Sequence, residues 1–596
     1  MSDLTRRDWL KVVGAAGSAP LISPAAPMER LPAPGSRPGP DSRLLPLTST
    51  SEVFVPPRGR AFEKLSFDFP EPSVAFADLR FAFLVFSREN IYGLDLARTV
   101  VEPDGDHAVT LTCTGFVWAG GQERAAGRLV ARLRETRNGV EWDATVEADR
   151  PIKAVSAVIR GVPRGKISVG GNAPYDPKDD EVLIGYPFGA GDLFGGNTAD
   201  SMSTPFAAVV QDDGNAWAFS SRDDKVRAKR LFFQPGDAGY RVEAVSEVEG
   251  WLDRTTVEVP TWHLAKSVPL ADAVAAHYAH LEQAYQIPSL ESRTDAPAWL
   301  ADVALVLTLH GAHYTGFLFN DFAKMREILD WVAGEIPANR VLVFLPAWDG
   351  RYYWNYPLYQ ADDRMGGEAG FKRLITEGQA RGFRFMPMFG ANCANRRHPE
   401  WAKFADARAQ RIDGDAFDEN WVDWDGDRHQ DGNISYMNLG VESWRRWLTD
   451  RITDVIDRYG VDAYFLDITG GWINTPQADM HEGLRQLVTD LRTRYPKVLC
   501  CGEFHYDALL SFIPFYHVYS PRAAKYARFF SHLSHPAPGR GSSGVHESGF
   551  SEFNAATLSL SPGTIPTLQV VDDTFAKQRP VMKDLIARAK QRAGIS

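Results

Sequence analysis

The chain has 596 residues, 44% of them apolar and 12% aromatic, which is enough to build two or more domains with large cores. Its formal net charge of -11, with no basic face standing out, excludes a nucleic-acid partner and disfavours an anionic membrane surface. Four cysteines, Cys113, Cys393, Cys500 and Cys501, make no disulfide framework and no zinc spacing, so burial as small apolar groups is expected.

The chain starts with TRRDWLKVVGAAGSAPLISPAAP, where Arg6, Arg7 and Leu10 precede a short run rich in Gly and Ala. This pattern over residues 1–26 is similar to a twin-arginine export signal, which implies a periplasmic or extracellular protein with no membrane contact after signal removal. No other stretch approaches the roughly 20 apolar residues of a membrane span. Residues 27–50, rich in Pro, Ser and Gly, read as a flexible lead-in.

Residues 51–268 hold short period-two runs: KLSFDF, LRFAFLVF, AVTLTCTGFVW, GRLVARLRE, VEWDATVEA and others up to TTVEVPTWHLA. Turn pairs such as Asn138-Gly139, Asp213-Gly214 and Pro235-Gly236 punctuate them, predicting a large β-sandwich. Residues 269–298 read as a linker helix closed by Pro288.

From residue 299 to 596 strands and helices alternate. VALVLTLHG, VLVFLPAWDG and FRFMPMFGA are the first three strand candidates; the runs 461–466 and 497–502 are the fourth and fifth. FYHVYS, SSGVHES and TIPTLQVVDD complete eight, so the fold class is multidomain, a β-sandwich followed by a (β/α)8 TIM-type barrel with a long insertion at 390–438. In such a barrel the strand C-terminal ends carry the chemistry. His310, Asp349, Asn392, Asp467, Glu503, His517 or Ser520, Glu547 and Asp572 or Asp573 fall there. Any one of these could instead cap a helix, and Asp573 in VVDDTF fits that role.

Asp467 follows five apolar or aromatic residues out of six, and Glu503 follows two cysteines and a glycine. Surface acids rarely have such neighbours. At the mouth of an apolar pocket one carboxyl can stay protonated while the other is ionised, the division of labour that glycoside hydrolysis needs. The loop AWDGRYYWNYPLYQ gathers Trp348, Tyr352, Tyr353, Trp354, Tyr356 and Tyr359 beside Asp349, Arg351 and Asn355. Aromatic faces interleaved with hydrogen-bonding groups suit sugars, with loop packing as the competing reading. Trp472 and His505, flanking the two acids, are further substrate-binding candidates.

The run NLGVESWRRWLTDRITDVIDRYGVDAYFLDITGG with CCGEFHYD resembles the fourth and fifth barrel strands of retaining α-glycosidases in the α-amylase-like superfamily. WDGRYYWNYP followed by GGEAGFKRLITEGQARGFRFMPMFGAN is more similar to the endo-α-N-acetylgalactosaminidase branch, which also carries a β-sandwich before its barrel. The resemblance spans residues 299–507. It implies Asp467 as nucleophile, Glu503 as acid/base, retention of anomeric configuration, and no required cofactor. Phe465 stands where amylases carry an Arg, so starch-type specificity is not implied. The expected partner is an oligosaccharide, polysaccharide or glycoconjugate substrate.

Within the insertion, Asp423, Asp425, Asp427 and Asp431 could surround a structural calcium ion. Gly426 comes too early for an EF-hand loop and no Glu closes it, so an acidic solvated loop is the expectation. Three other readings stay open at this point: a β-glycosidase pairing Asp467 with Glu547, a lyase using Arg396, Arg397 and His398, and a non-catalytic carbohydrate-binding protein.

Overall fold

The computed structural model describes residues 47–50, 71–187, 204–289, 292–313, 316–351, 354–418, 433–503, 506–518, 533–536, 565–571 and 573–596. It divides into two compact units between His280 and Leu281, inside a helix that spans Leu270–Ala284 and starts directly after the strand Thr256–Pro269.

Among the described residues the first unit contains a ten-stranded and an eight-stranded sheet, both antiparallel. Strand Gly139–Ala148 shows why the sequence folds this way: Val140, Trp142, Ala144 and Val146 are buried in strict alternation. Trp142 stacks on Trp262 of its own sheet at 6.3 Å and meets Phe81 of the other sheet at 5.6 Å. Trp262 donates its indole N–H to Ser246 Oγ of the opposite sheet at 3.0 Å. The two sheets therefore share one core, a sandwich. Gly139 is obligatory, because a Cβ there would lie 1.9 Å from the carbonyl oxygen of Leu264. Pro235 and Gly236 belong to the strand rather than the turn, since Gly236 is registered opposite Gly239 and the turn is Asp237-Ala238. KLSFDF lies outside the described residues. Strands Ile91–Leu94, Thr99–Pro103 and Val182–Tyr186 were not legible, being short and weakly patterned.

In the second unit eight parallel strands form one sheet. In chain order they are Leu305–Leu309, Val341–Leu345, Arg384–Gly390, Ala463–Asp467, Leu499–Glu503, Phe515–Val518, Leu533–Pro536 and Thr567–Val570. The first six pair in sequence, the sixth pairs with the seventh, and the eighth returns to pair with the first. Among the described residues the pairing runs unbroken from seventh to eighth by way of the first. SSGVHES lies outside the described residues, and the seventh place in the sheet is held by Leu533–Pro536, ahead of it.

Strands one, two, four and five are buried along their whole length, as parallel strands covered on both faces must be. Helices between them present one apolar stripe each: Phe322, Met325, Leu329 and Val332 in Phe322–Glu335, and Leu484, Leu487, Val488 and Leu491 in Met480–Arg494. Asp321 and Asp479 cap these two helices, accepting from the amides of Lys324 and of His481 and Glu482. Asn320 ties the first strand to the eighth. Its Nδ2 donates to the carbonyls of His310 and Val570, both at 2.8 Å.

All four cysteines are buried and none is in a disulfide, and no described helix is long and apolar enough to cross a membrane.

Candidate active site

The site is built on the fourth and fifth strands. Leu466 is registered opposite Gly502, so Asp467 and Glu503 follow side by side at the C-terminal ends. Phe465, two residues before Asp467, packs against His517 at 5.3 Å and Phe344 at 4.6 Å, which points that face of the strand toward facing strands of the sheet. By period two, Asp467 shares that direction. Glu503 is registered opposite His517, whose ring lies on the same side.

Both carboxylates are buried, Asp467 fully and Glu503 at 3% exposure. Glu503 Oε2 accepts from the backbone N–H of Ile468 at 2.9 Å, so one carboxylate is fixed on the residue that follows the other. The Thr469 hydroxyl donates to the Glu503 carbonyl. Ile468 has φ +58°, a left-handed conformation that is an outlier for a β-branched side chain and costs about 1–3 kcal/mol. Gly471 allows the turn to close, because a Cβ there would sit 2.9 Å from Ile468 Cγ2.

Asn392, just past the third strand, holds the same turn from the other side. Its Nδ2 donates to the carbonyls of Ile468 at 2.8 Å and Gly471 at 3.1 Å. Ala391 N–H donates to the Asp467 carbonyl at 3.0 Å. The chain that follows carries Trp472, 2% exposed, whose indole N–H has no hydrogen-bond partner among the described residues.

Asp349, after the second strand, is buried, and burial pushes its carboxyl up to about 7, with Asp362 adding to the rise and the backbone amides of Asp349 and Tyr359 opposing it. His310, at the end of the first strand, is also buried. Burial, helped by neighbouring His313, pushes it down to about 3, so it is neutral at physiological pH. Its ring meets Phe319 edge to face at 5.3 Å.

The aromatic loop is only partly a surface. Trp348 is fully buried, stacks on Phe371 at 4.7 Å and donates to the Met388 carbonyl, so the expectation of a sugar platform there is corrected to core packing. Tyr356 and Tyr359 are buried too, and the Tyr359 hydroxyl accepts from Gly390 N–H at 2.8 Å. Trp354 is half-buried, with the Arg351 guanidinium 4.3 Å over its ring. Asp573 stands before the helix Thr574–Lys577 without a side-chain hydrogen bond to its first turn, and pairs instead with Lys577. Tyr352, His505, Glu547, Asp572, Ser520 and the four acids of the insertion lie outside the described residues. No group of three or more His, Cys, Asp and Glu side chains among the described residues is arranged to hold a metal ion.

Sequence reasoning missed Ile468 and Thr469, the turn that carries the acids' mutual geometry. The available signal was the glycine-rich ITGG directly after a strand whose apolar run ends in Asp467.

No family model matches the chain, and no curated protein matches it. Solved structures do. A ligand-free α-N-acetylgalactosaminidase, NagBb from Bifidobacterium bifidum, superposes with a TM-score of 0.58 at 14% identity, covering 88% of this chain and 92% of that one. The chain shares its fold with this glycosidase. The N-acetylgalactosamine complex of NagBb gives a TM-score of 0.56 at 13% identity over 75% and 79% of the two chains. The GH36 α-galactosidase AgaA from Geobacillus stearothermophilus gives 0.50 at 12% identity over 94% and 82%. The multidomain β plus α/β architecture of this chain is consistent with these neighbours.

Proposed function

We propose that this protein is a retaining α-glycoside hydrolase whose parallel sheet closes into a (β/α)8 barrel. The observation that carries the reading is the pair of buried carboxylates at adjacent strand ends, joined through the Ile468 amide to Glu503 Oε2. Asp467 attacks the anomeric carbon as the bond to the leaving oxygen breaks, and protonated Glu503 gives its proton to that oxygen. Glu503, now ionised, takes a proton from water, which attacks the anomeric carbon and frees Asp467. Inversion twice gives retention. The carboxyl groups should then lie about 5–5.5 Å apart, against roughly 6.5–9.5 Å for an inverting pair.

Asp349, largely neutral below pH 7, serves as a hydroxyl ligand that can both donate and accept. Trp354 supplies an aromatic face at the rim. The substrate is an α-linked oligosaccharide, polysaccharide or glycoconjugate. The fold shared with an α-N-acetylgalactosaminidase and an α-galactosidase supports starting with those sugars. The likeness to the endo-α-N-acetylgalactosaminidase branch is part of the same proposal, as is export by the twin-arginine route to the periplasm or exterior, resting on Arg6 and Arg7. No cofactor takes part in these steps.

The test is a set of aryl α- and β-glycosides, with the configuration of the first-formed product read by NMR. Asp467→Ala should abolish turnover of every substrate. Glu503→Ala should spare those with good leaving groups and, with azide, yield a glycosyl azide of retained configuration. An inverted first product sinks the mechanism, and turnover by β-glycosides alone sinks the anomeric assignment.

A further inference from the structure

Asn392 is separated in sequence from both acids, and its side-chain nitrogen is spent on backbone, while Oδ1 is buried without a hydrogen-bond partner among the described residues. Its Nδ2 donates to the carbonyls of Ile468 and Gly471, and the side chain is 3% exposed. The amide of Ile468 in turn donates to Glu503 Oε2, and the next residue, Thr469, donates its hydroxyl to the Glu503 carbonyl. Ile468 thus has its carbonyl held by Asn392 and its N–H held by Glu503, while its backbone sits at φ +58°. Nothing in the residue's own preference keeps it there, since left-handed backbone is unfavourable for a β-branched side chain. The turn must be held by what surrounds it.

We propose that Asn392 is a positioning residue that fixes the orientation of the Glu503 carboxyl through the left-handed turn at Ile468. This rests on Glu503 being the acid/base. The two Nδ2 hydrogens pin the 468 and 471 carbonyls and so hold Ile468 at its left-handed backbone angles, which fix how the peptide unit carrying the Ile468 N–H is turned; the other end of that unit, the Asp467 carbonyl, accepts from Ala391 N–H. That N–H holds Glu503 Oε2 and so sets the direction in which the carboxyl is aimed. Asn392 itself touches neither proton nor substrate. An amide suits the position because one nitrogen supplies two donors to two carbonyls, and a carboxylate in its place would face both oxygens with like partial charge.

Asn392→Asp keeps the shape of the side chain and removes both donors, so it carries the test. Its leaving-group dependence is compared with wild type on 2,4-dinitrophenyl and methyl α-glycosides of galactose and N-acetylgalactosamine. The expected result is a fall in kcat/KM of about 100-fold for the methyl glycoside and under about 5-fold for the dinitrophenyl one, because only the former needs a well-aimed acid. Asn392→Ser, which can still donate one hydrogen bond, should recover part of the loss. Equal losses on both leaving groups, no loss, or an unfolded Asn392→Asp overturn the proposal, the last because the amide would then serve the fold. A crystal structure of Asn392→Asp reads the same point without turnover: the Glu503 carboxyl should leave the Ile468 amide, and an unchanged contact overturns the assignment. Failure of the underlying reading looks different. Glu503→Ala would then lose activity equally on both leaving groups, whatever Asn392→Asp does.

Discussion

Glu503 and Ile468 are joined by a 2.9 Å hydrogen bond from backbone N–H to side-chain carboxylate, and Ile468 is the residue that follows Asp467. A glutamine at 503 can still accept that bond through its amide oxygen, but it has no acidic proton to give. Glu503→Gln should keep its melting temperature within about 2 °C of wild type, a change under about 1 kcal/mol in a protein of this size. Its kcat/KM on poor leaving groups should fall roughly 100- to 10,000-fold. Calorimetry beside steady-state kinetics separates the effects, and a large loss of stability would mean that the carboxylate is there for the fold.

Asp349 gives a pH prediction with a definite sign. Its folded pKa of about 7 lies above the ordinary 3.8, so between those values the folded state binds more protons than the unfolded one. Stability contributed by this group therefore falls as pH rises from about 4 to about 7 and is level above that. The full span is on the order of 4 kcal/mol, from about 3 pKa units at 1.36 kcal/mol each. Asp349→Asn removes the dependence. The stability of the variant minus that of wild type, from denaturant unfolding, should grow over that window. Taking the difference cancels His310, whose lowered pKa pulls the other way over pH 3 to 6.5. Parallel curves would show that Asp349 stays ionised.

Two tryptophans of one loop should behave oppositely. Trp348→Ala empties a buried site stacked on Phe371 and leaves the Met388 carbonyl without its indole donor, at a cost of about 3–5 kcal/mol of stability. Trp354→Ala should change stability little and raise KM by roughly 10-fold with kcat nearly constant, the pattern of an interaction equally strong in ground and transition states. Unfolding curves and kinetics on the same preparations check both. A destabilised Trp354→Ala with normal KM would return that residue to packing.

Arg6→Lys with Arg7→Lys should leave the precursor in the cytoplasm, since the export route reads the arginine pair as an address. Fractionation of cells producing the full chain tests this. Unchanged export would remove the periplasmic or extracellular assignment.

The barrel strands with strong apolar runs were legible because burial on both faces forces such runs. Val341–Leu345 starts where the sequence put it and ends five residues sooner, and Ala463–Asp467 falls within about two residues of its run. The seventh strand was not: Leu533–Pro536 reads LSHP, with one large aliphatic residue and a proline. The acids could be picked out by their apolar settings. Their connection through Ile468 could not, because it depends on a left-handed backbone at a residue type that disfavours one. Trp348 was misjudged because a crowded aromatic loop reads alike whether its rings face a sugar or a neighbouring Phe371.

The clasp made by Asn320 between His310 and Val570 has a consequence during synthesis. The first strand, Leu305–Leu309, has one neighbour in Val341–Leu345 soon after it is made, while the other flank waits for Thr567–Val570. Until that segment leaves the ribosome, a buried apolar strand offers an open row of N–H and C=O groups to any passing chain. A nascent chain stalled before residue 565 would be prone to aggregate through that edge, whatever the state of its acids.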